Sequence, residues 1–397
     1  MKPISKIAEN IAPSSTLALD AQAKALAETG KPVLSFCAGE PDFPTPRAVK
    51  DAAIRAIEEN KTKYTPSAGI LTLREAICTR LFEDTGVSYK PNQIVVASGA
   101  KHSIFIALQA IVNPGDEVAL PAPYWVTYAE AVRQAGGTPV FVQTREEDNF
   151  LISAKALEAA ITAKTKALIL NNPSNPTGMM YSEPQLREIA DIAQKHDLYV
   201  LSDEIYYRLT YGKVPFVSFA ALSQDAYDRT ITINGVSKSY AMTGWRIGYS
   251  ASSPKLAAIQ SNYLSHSTSA PSTVSQWAAA AALSLPEVQA ESEQMREEFL
   301  KRRDFAVARV NTINGLSCKT PDGAFYIMIN ITRQLGRTLG GRKIATADDF
   351  CAALLDTALV AAVPGTAFGI DGYVRFSYAA AMDDIEQGLS RIEKFLS

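Results

Sequence analysis

Seven short strand-like runs punctuate the middle of the chain, at residues 93–97, 117–121, 138–143, 167–171, 199–202, 230–234 and 247–251. Helical patterns such as 102–112 and 183–195 lie between most of them. A strand with one buried face alternates apolar and polar residues, whereas a strand covered on both faces stays apolar throughout. The run at 93–97 is of the second kind. Strands and helices in alternation predict an α/β fold built on a mostly parallel central sheet.

The 397 residues exceed a typical domain and predict two lobes. A large domain is expected over residues 47–290, opened by amphipathic helices at 48–59 and 70–84. A long helix at 286–312 then leads into a smaller α+β domain, residues 291–397 together with the N-terminal segment 1–46. Its predicted strands are 323–328, 360–363 and 373–378, and its helices 347–356 and the stretch from Met382 onward. Residues 2–46 read as loop-rich, because Pro41, Pro44 and Pro46 forbid a helix and favour an extended crossing between lobes. The segment from Gly336 to Gly341 follows no predicted strand and reads as a mobile surface connection. The mostly alanine stretch 277–285 is too short to span a membrane and is expected to pack as a helix.

A formal charge of −2 provides no basic field for nucleic acid or an acidic membrane. Cys37, Cys78, Cys318 and Cys351 are far apart and form no CxxC, so free thiols are expected. His102, His196 and His266 are scattered without an HExxH, which argues against a zinc hydrolase and predicts no metal. There is no GxSxG elbow and no P-loop, and no GxGxxG opens a helix, which disfavours a nicotinamide enzyme. The first residues carry no signal-peptide apolar core, and a cytoplasmic protein is expected.

Groups of complementary chemistry stand where the apolar runs end, the place at which open α/β sheets bind ligands. Lys238 follows one run and in isolation reads as a solvated turn residue; burial there would lower its pKa and free a nucleophilic amine. Asp203 closes another run and needs a cation, such as a protonated pyridine nitrogen, although it also reads as the cap of the next turn. Tyr206, three residues on, could reach a ring oxygen near that carboxylate. Asn175, in the Pro-flanked stretch 171–178, is either a second donor to that oxygen or an ordinary Asx-turn residue. Gly99, Ala100 and Lys101 open a helix after a strand, and with Ser237 and Arg246 they supply donors for a phosphate. Trp125 either stacks on a ring or packs half-buried. Arg375, inside an apolar strand, calls for a carboxylate from a structural ion pair or from a substrate. Together these groups suit pyridoxal 5'-phosphate (PLP), an aromatic aldehyde phosphate.

Ordered motifs cover almost the whole length, among them Ala38-Gly39-Glu40-Pro41-Asp42-Phe43, Lys63-Tyr64, Ser98-Gly99-Ala100-Lys101, Pro123-Tyr124-Trp125-Val126, Ser202-Asp203-Glu204-Ile205-Tyr206, Ser237-Lys238, Gly244-Trp245-Arg246-Ile247-Gly248, Gly323-Ala324-Phe325-Tyr326 and Arg375-Phe376-Ser377. On these residues the chain resembles the class I aminotransferases of PLP fold type I. It is most similar to subgroup Iβ of the bacterial aspartate aminotransferases.

The resemblance implies that Lys238 carries the cofactor and shuttles the substrate proton. Asp203 would hold the pyridinium, Tyr206 and Asn175 the ring oxygen, and Trp125 the ring face. Gly99, Ala100, Lys101, Ser237 and Arg246 would surround the phosphate. Tyr64 would reach the phosphate of the partner subunit in an obligate homodimer, and Gly39, Trp125, Asn175 and Arg375 would bind substrate. The implied reaction is a ping-pong transfer of the amino group from L-aspartate to 2-oxoglutarate, giving oxaloacetate and L-glutamate. Ser15, Thr16 and Lys101 are the candidates for the distal carboxylate. Ala12 occupies a position at which prephenate-accepting relatives carry a basic residue, which weakens that alternative. Other reactions on the same scaffold are alanine or aromatic transamination and C–S lysis. A PLP-sensing transcription regulator would need an N-terminal winged helix, for which no room is expected before Gly39.

Overall fold

The computed structural model describes residues 2–9, 11–212 and 214–397. Strands β1 (Ile94–Ala97), β2 (Glu117–Ala122), β3 (Thr138–Gln143), β4 (Thr165–Asn171), β5 (Tyr199–Asp203), β6 (Thr230–Gly235) and β7 (Gly248–Ala251) form one seven-stranded sheet in the order β1-β7-β6-β5-β4-β2-β3. Only β7 runs antiparallel to its neighbours. Successive side chains of a strand point to opposite faces, and the central strands bury both. Ile169 and Leu201 pack with Ile104 and Leu108 of helix Ala100–Ile111, while Leu168, Leu170 and Val200 pack with Leu186 and Ile189 of helix Glu183–Lys195. The continuous apolar run at 93–97 is likewise buried throughout its strand, and the fold is α/β with a mostly parallel sheet.

A second, four-stranded antiparallel sheet has the order Val363–Pro364, Tyr373–Ser377, Tyr326–Asn330, Ser317–Cys318. Its core holds Ile327, Ile329 and Phe376 against Phe299 and Val310 of helix Pro286–Thr312, Leu354 of helix Ala347–Ala358, and Leu389 of helix Met382–Leu396.

Four sequence expectations change. Residues 2–46 are not loop-rich throughout: Ser15–Glu28 is a 14-residue helix. The three prolines act only where they stand, and the Ala- and Leu-rich stretch before them is free to wind. The strand expected at 323–328 starts at Tyr326 and runs to Asn330. Ala324 has φ of 59°, a left-handed turn that an extended strand cannot contain. The segment 336–341 belongs to a β-hairpin in which Thr338–Leu339 pairs with Arg342–Lys343. Gly340 and Gly341, with φ of 54° and 78°, make the two-residue turn, and buried Leu339 ties it to the core. The run 360–363 splits, because Val360–Ala361 pairs in parallel with Leu34–Ser35 while Val363–Pro364 joins the four-stranded sheet.

Candidate active site

The register sets Asn171, the last residue of β4, beside Asp203, the last of β5, and Asp203 beside Ile233 of β6. The ends of β4 and β5 therefore lie level, β6 runs on to Gly235, and the polar side chains after them meet. The Asn171 amide donates to the Asp203 carbonyl at 2.9 Å, and its Oδ1 accepts the Asn175 N–H at 2.7 Å, which fixes the Asn175 loop. Asp203 is buried; Tyr128 donates to its Oδ2 at 2.6 Å and the Ile205 N–H to its Oδ1 at 3.2 Å. The second bond is the turn-capping role read from sequence. Burial pushes the Asp203 pKa up to about 6, against the pull of Tyr128, the Ile205 N–H and Lys238. A carboxyl group held this way favours any cation brought beside it.

Lys238 follows β6 in a turn, and its ammonium donates to the Gly39 carbonyl. Burial pushes it down to about 8; Glu40 and Asp203 oppose that shift, and Arg246 and Arg375 add to it. A substantial fraction of the amine is consequently neutral near physiological pH.

Close to it lies a cradle for an anion. Helix Ala100–Ile111 begins at Gly99 with no side-chain cap, so its first N–H groups are left without intrahelical partners. Gly99 has φ of 91°, and a Cβ there would lie 2.4 Å from the Arg246 guanidinium. A Cβ on Gly248 would lie 2.1 Å from the Ala100 nitrogen, so β7 presses directly on the helix start. Arg246 donates to the carbonyls of Thr243 at 2.8 Å and Ser98 at 3.4 Å and keeps an exposed face. Burial and the Arg246 charge together lower the Lys101 pKa.

Arg375 enters from the four-stranded sheet. It is 3% exposed, donates to the Asn175 Oδ1 at 3.0 Å and the Cys37 carbonyl at 2.7 Å, and leaves its buried Nε without a partner. Its guanidinium lies 4.4 Å from the Tyr326 ring centre. The structural ion pair considered from sequence is not formed: among the described residues Arg375 has no carboxylate partner.

These groups converge on one cavity of about 490 Å³, lined by Gly39, Ala100, Lys101, Trp125, Asn175, Asp203, Tyr206, Ser237, Lys238, Arg246 and Arg375. Gly99 stands behind it against Arg246. Of the distal-carboxylate candidates, Thr16 and Lys101 line the cavity, as does Ser14; Ser15 faces an adjoining groove of about 850 Å³ shared with Lys101. Tyr64 is 98% exposed and takes no part in this chain's cavity. Tyr128, Asn171 and Tyr326 belong to the site and were not singled out from sequence. The Trp125/Tyr128 spacing of one helical turn was the available signal for the first, and the strand end for the second. Among the described residues no cluster of three or more metal-binding side chains occurs, and no helix is long and apolar enough to cross a membrane.

The sequence profile of the family described as "Aminotransferase class I and II" matches residues 31–392. An aspartate aminotransferase from Bacillus subtilis is 44% identical over 393 residues, which is 99% of this chain and 98% of that protein. A probable aspartate/prephenate aminotransferase from Aquifex aeolicus is 42% identical over 395 residues, 100% of this chain and 99% of the relative. Among solved structures, the aspartate aminotransferase of Thermus thermophilus with maleate superposes with a TM-score of 0.94 at 39% identity, covering 100% of both chains. Fold and site together define an enzyme that transfers amino groups. The chain belongs to the class I and II aminotransferases.

Proposed function

We propose that the enzyme transfers the amino group of L-aspartate to 2-oxoglutarate with PLP held in the 490 Å³ cavity. The observation that carries this reading is Arg375: a buried cation whose protein partners are neutral faces the same space as the Lys238 amine, so the site calls for a carboxylate next to an amine. The 44%-identical relative from Bacillus subtilis is an aspartate aminotransferase, and the Thermus thermophilus enzyme holds maleate, a dicarboxylate; both favour a dicarboxylic substrate.

The donor set fits the cofactor. Asp203 suits a pyridinium, Tyr206 and Asn175 a ring oxygen, Trp125 a ring face, and Arg246, Lys101, Ser237 and the helix start after Gly99 a phosphate. PLP supplies an extended π-system that takes up the electron pair when the substrate Cα–H bond breaks. Lys238, as a neutral amine, would take that proton from the substrate Cα and deliver it to the cofactor's C4′, and would carry a proton the opposite way in the second half of the exchange. Asp203 keeps the ring nitrogen protonated, and Arg375 with the Gly39 backbone orients the α-carboxylate. Thr16 and Lys101 receive the distal carboxylate. Gly39 from the N-terminal segment and Arg375 from the C-terminal part share the cavity with Lys238, which supports a small lobe of residues 1–46 plus 291–397 working against a large lobe of 47–290. A homodimer, with Tyr64 reaching the neighbouring site, and a cytoplasmic location complete the reading.

The test is borohydride reduction of the PLP-treated protein, peptide mapping, and steady-state assays with aspartate, prephenate, phenylalanine, alanine and cystathionine. Label at Lys238, aspartate as the best donor, and loss of turnover in Lys238→Ala are expected. Label elsewhere, or undiminished transamination by Lys238→Ala, refutes the assignment.

A further inference from the structure

Tyr326 opens an inner strand of the four-stranded sheet and lies at the meeting point of three groups already described. Its hydroxyl is 3.0 Å from that of Tyr206, its ring lies 4.4 Å under the Arg375 guanidinium, and a Cβ on Gly39 would come within 2.7 Å of its oxygen. Only a glycine at 39 leaves room for that hydroxyl, and Gly39 is the residue whose carbonyl accepts from Lys238. We propose that Tyr326 is a positioning residue with two separable parts: its hydroxyl orients the Tyr206 hydroxyl toward the cofactor, and its ring carries Arg375 in place for the α-carboxylate.

The direction of the hydroxyl pair follows from counting protons. Each phenol has one, so if Tyr206 donates to a ring oxygen, Tyr326 must donate to Tyr206. Receiving that bond makes the Tyr206 hydroxyl a better donor in turn. The inference rests on the PLP reading.

The test compares wild type, Tyr326→Phe, Tyr206→Phe and the double variant, each loaded with PLP, by titrating the cofactor's visible absorbance against pH. A donor to the ring oxygen loosens the cofactor's hold on its proton. Tyr326→Phe is therefore expected to move the titration upward by about half a unit, with kcat down about threefold to tenfold and KM for aspartate within about twofold. The double variant should titrate where Tyr206→Phe does, because both hydroxyls act through one bond. Tyr326→Leu, which removes the ring, should instead raise KM about tenfold or more. A wild-type titration in Tyr326→Phe, or shifts that add in the double variant, would overturn the hydroxyl role. Unchanged KM in Tyr326→Leu would overturn the ring's role. A wild-type protein that binds no PLP would overturn the cofactor reading instead.

Discussion

Asp203 and Lys238 are displaced in opposite directions by one cause: burial disfavours the charged form of each, raising the acid to about 6 and lowering the amine to about 8. For Lys238 the ordinary value is 10.5, so between pH 8 and 10.5 the unfolded chain binds the extra proton. Stability of the cofactor-free protein should rise across that window relative to Lys238→Met, by up to about 3 kcal/mol, in urea unfolding at a series of pH values. A gap independent of pH would show that the amine is not desolvated. The same shift sets the rate of cofactor capture, which should climb about tenfold per unit below pH 8 and flatten above it; stopped-flow absorbance reads this directly. At Asp203 the Tyr128 hydroxyl satisfies an oxygen that accepts from no other group among the described residues. Tyr128→Phe strands that oxygen and should cost the cofactor-free protein about 1–3 kcal/mol, seen as a lower denaturant midpoint with an unchanged slope.

At the scale of elements, the most sensitive junction is β7 against the start of helix Ala100–Ile111. A side chain on Gly248 meets backbone atoms, the Ala100 nitrogen at 2.1 Å and the Gly99 carbonyl carbon at 2.3 Å, and backbone cannot rotate aside. Gly248→Ala should destabilise by about 1–3 kcal/mol and weaken PLP retention at least tenfold, because it displaces the helix end that would face the phosphate. Gly244, four residues earlier, has nothing within 4 Å of a Cβ but lines the cavity, so Gly244→Ala is the control for stability alone and should leave it unchanged. Equal behaviour of the two variants in calorimetry would remove this account. Elements of this kind were legible in sequence because burial on both faces leaves a continuous apolar signature, as in β1 and the Ala167–Leu170 stretch of β4. The helix Ser15–Glu28 and the hairpin around Gly340 were not. The helix has a single buried residue, Ala23, and so no strong apolar stripe, and the hairpin strands are two residues long.

For the whole molecule, the groups at strand ends were readable because a parallel sheet must bring its carboxyl ends to one side. The tyrosines that brace them were not, since Tyr128 meets Asp203 from 75 residues away and Tyr326 meets Tyr206 from 120. Beyond the Trp125/Tyr128 spacing, which points to Tyr128 but not to its partner, no local pattern encodes such pairings. Tyr64 is the converse case, named by resemblance and left outside its own chain's cavity at 98% exposure. An aromatic ring so placed gains nothing from folding of its own chain, and Leu71 nearby in sequence is 52% exposed, with Ile54 and Ile57 at 46% and 55%. Apolar surface of this sort suits a partner, and a second copy is the partner proposed. If Tyr64 serves the neighbouring site, Tyr64→Phe should leave the sedimentation coefficient at the dimer value while raising the PLP dissociation constant about fivefold to tenfold, one lost hydrogen bond to an anion. Mixing inactive Lys238→Ala with a Tyr64→Ala variant then offers the sharper readout. In the hybrid dimer, the site with an intact Lys238 receives its Tyr64 from the Lys238→Ala chain. That site should recover the affinity that the Tyr64→Ala homodimer lacks, in half of the hybrid's sites. A chain that sediments as a monomer with full PLP affinity, or a hybrid no tighter than the Tyr64→Ala parent, would confine the active site to a single chain.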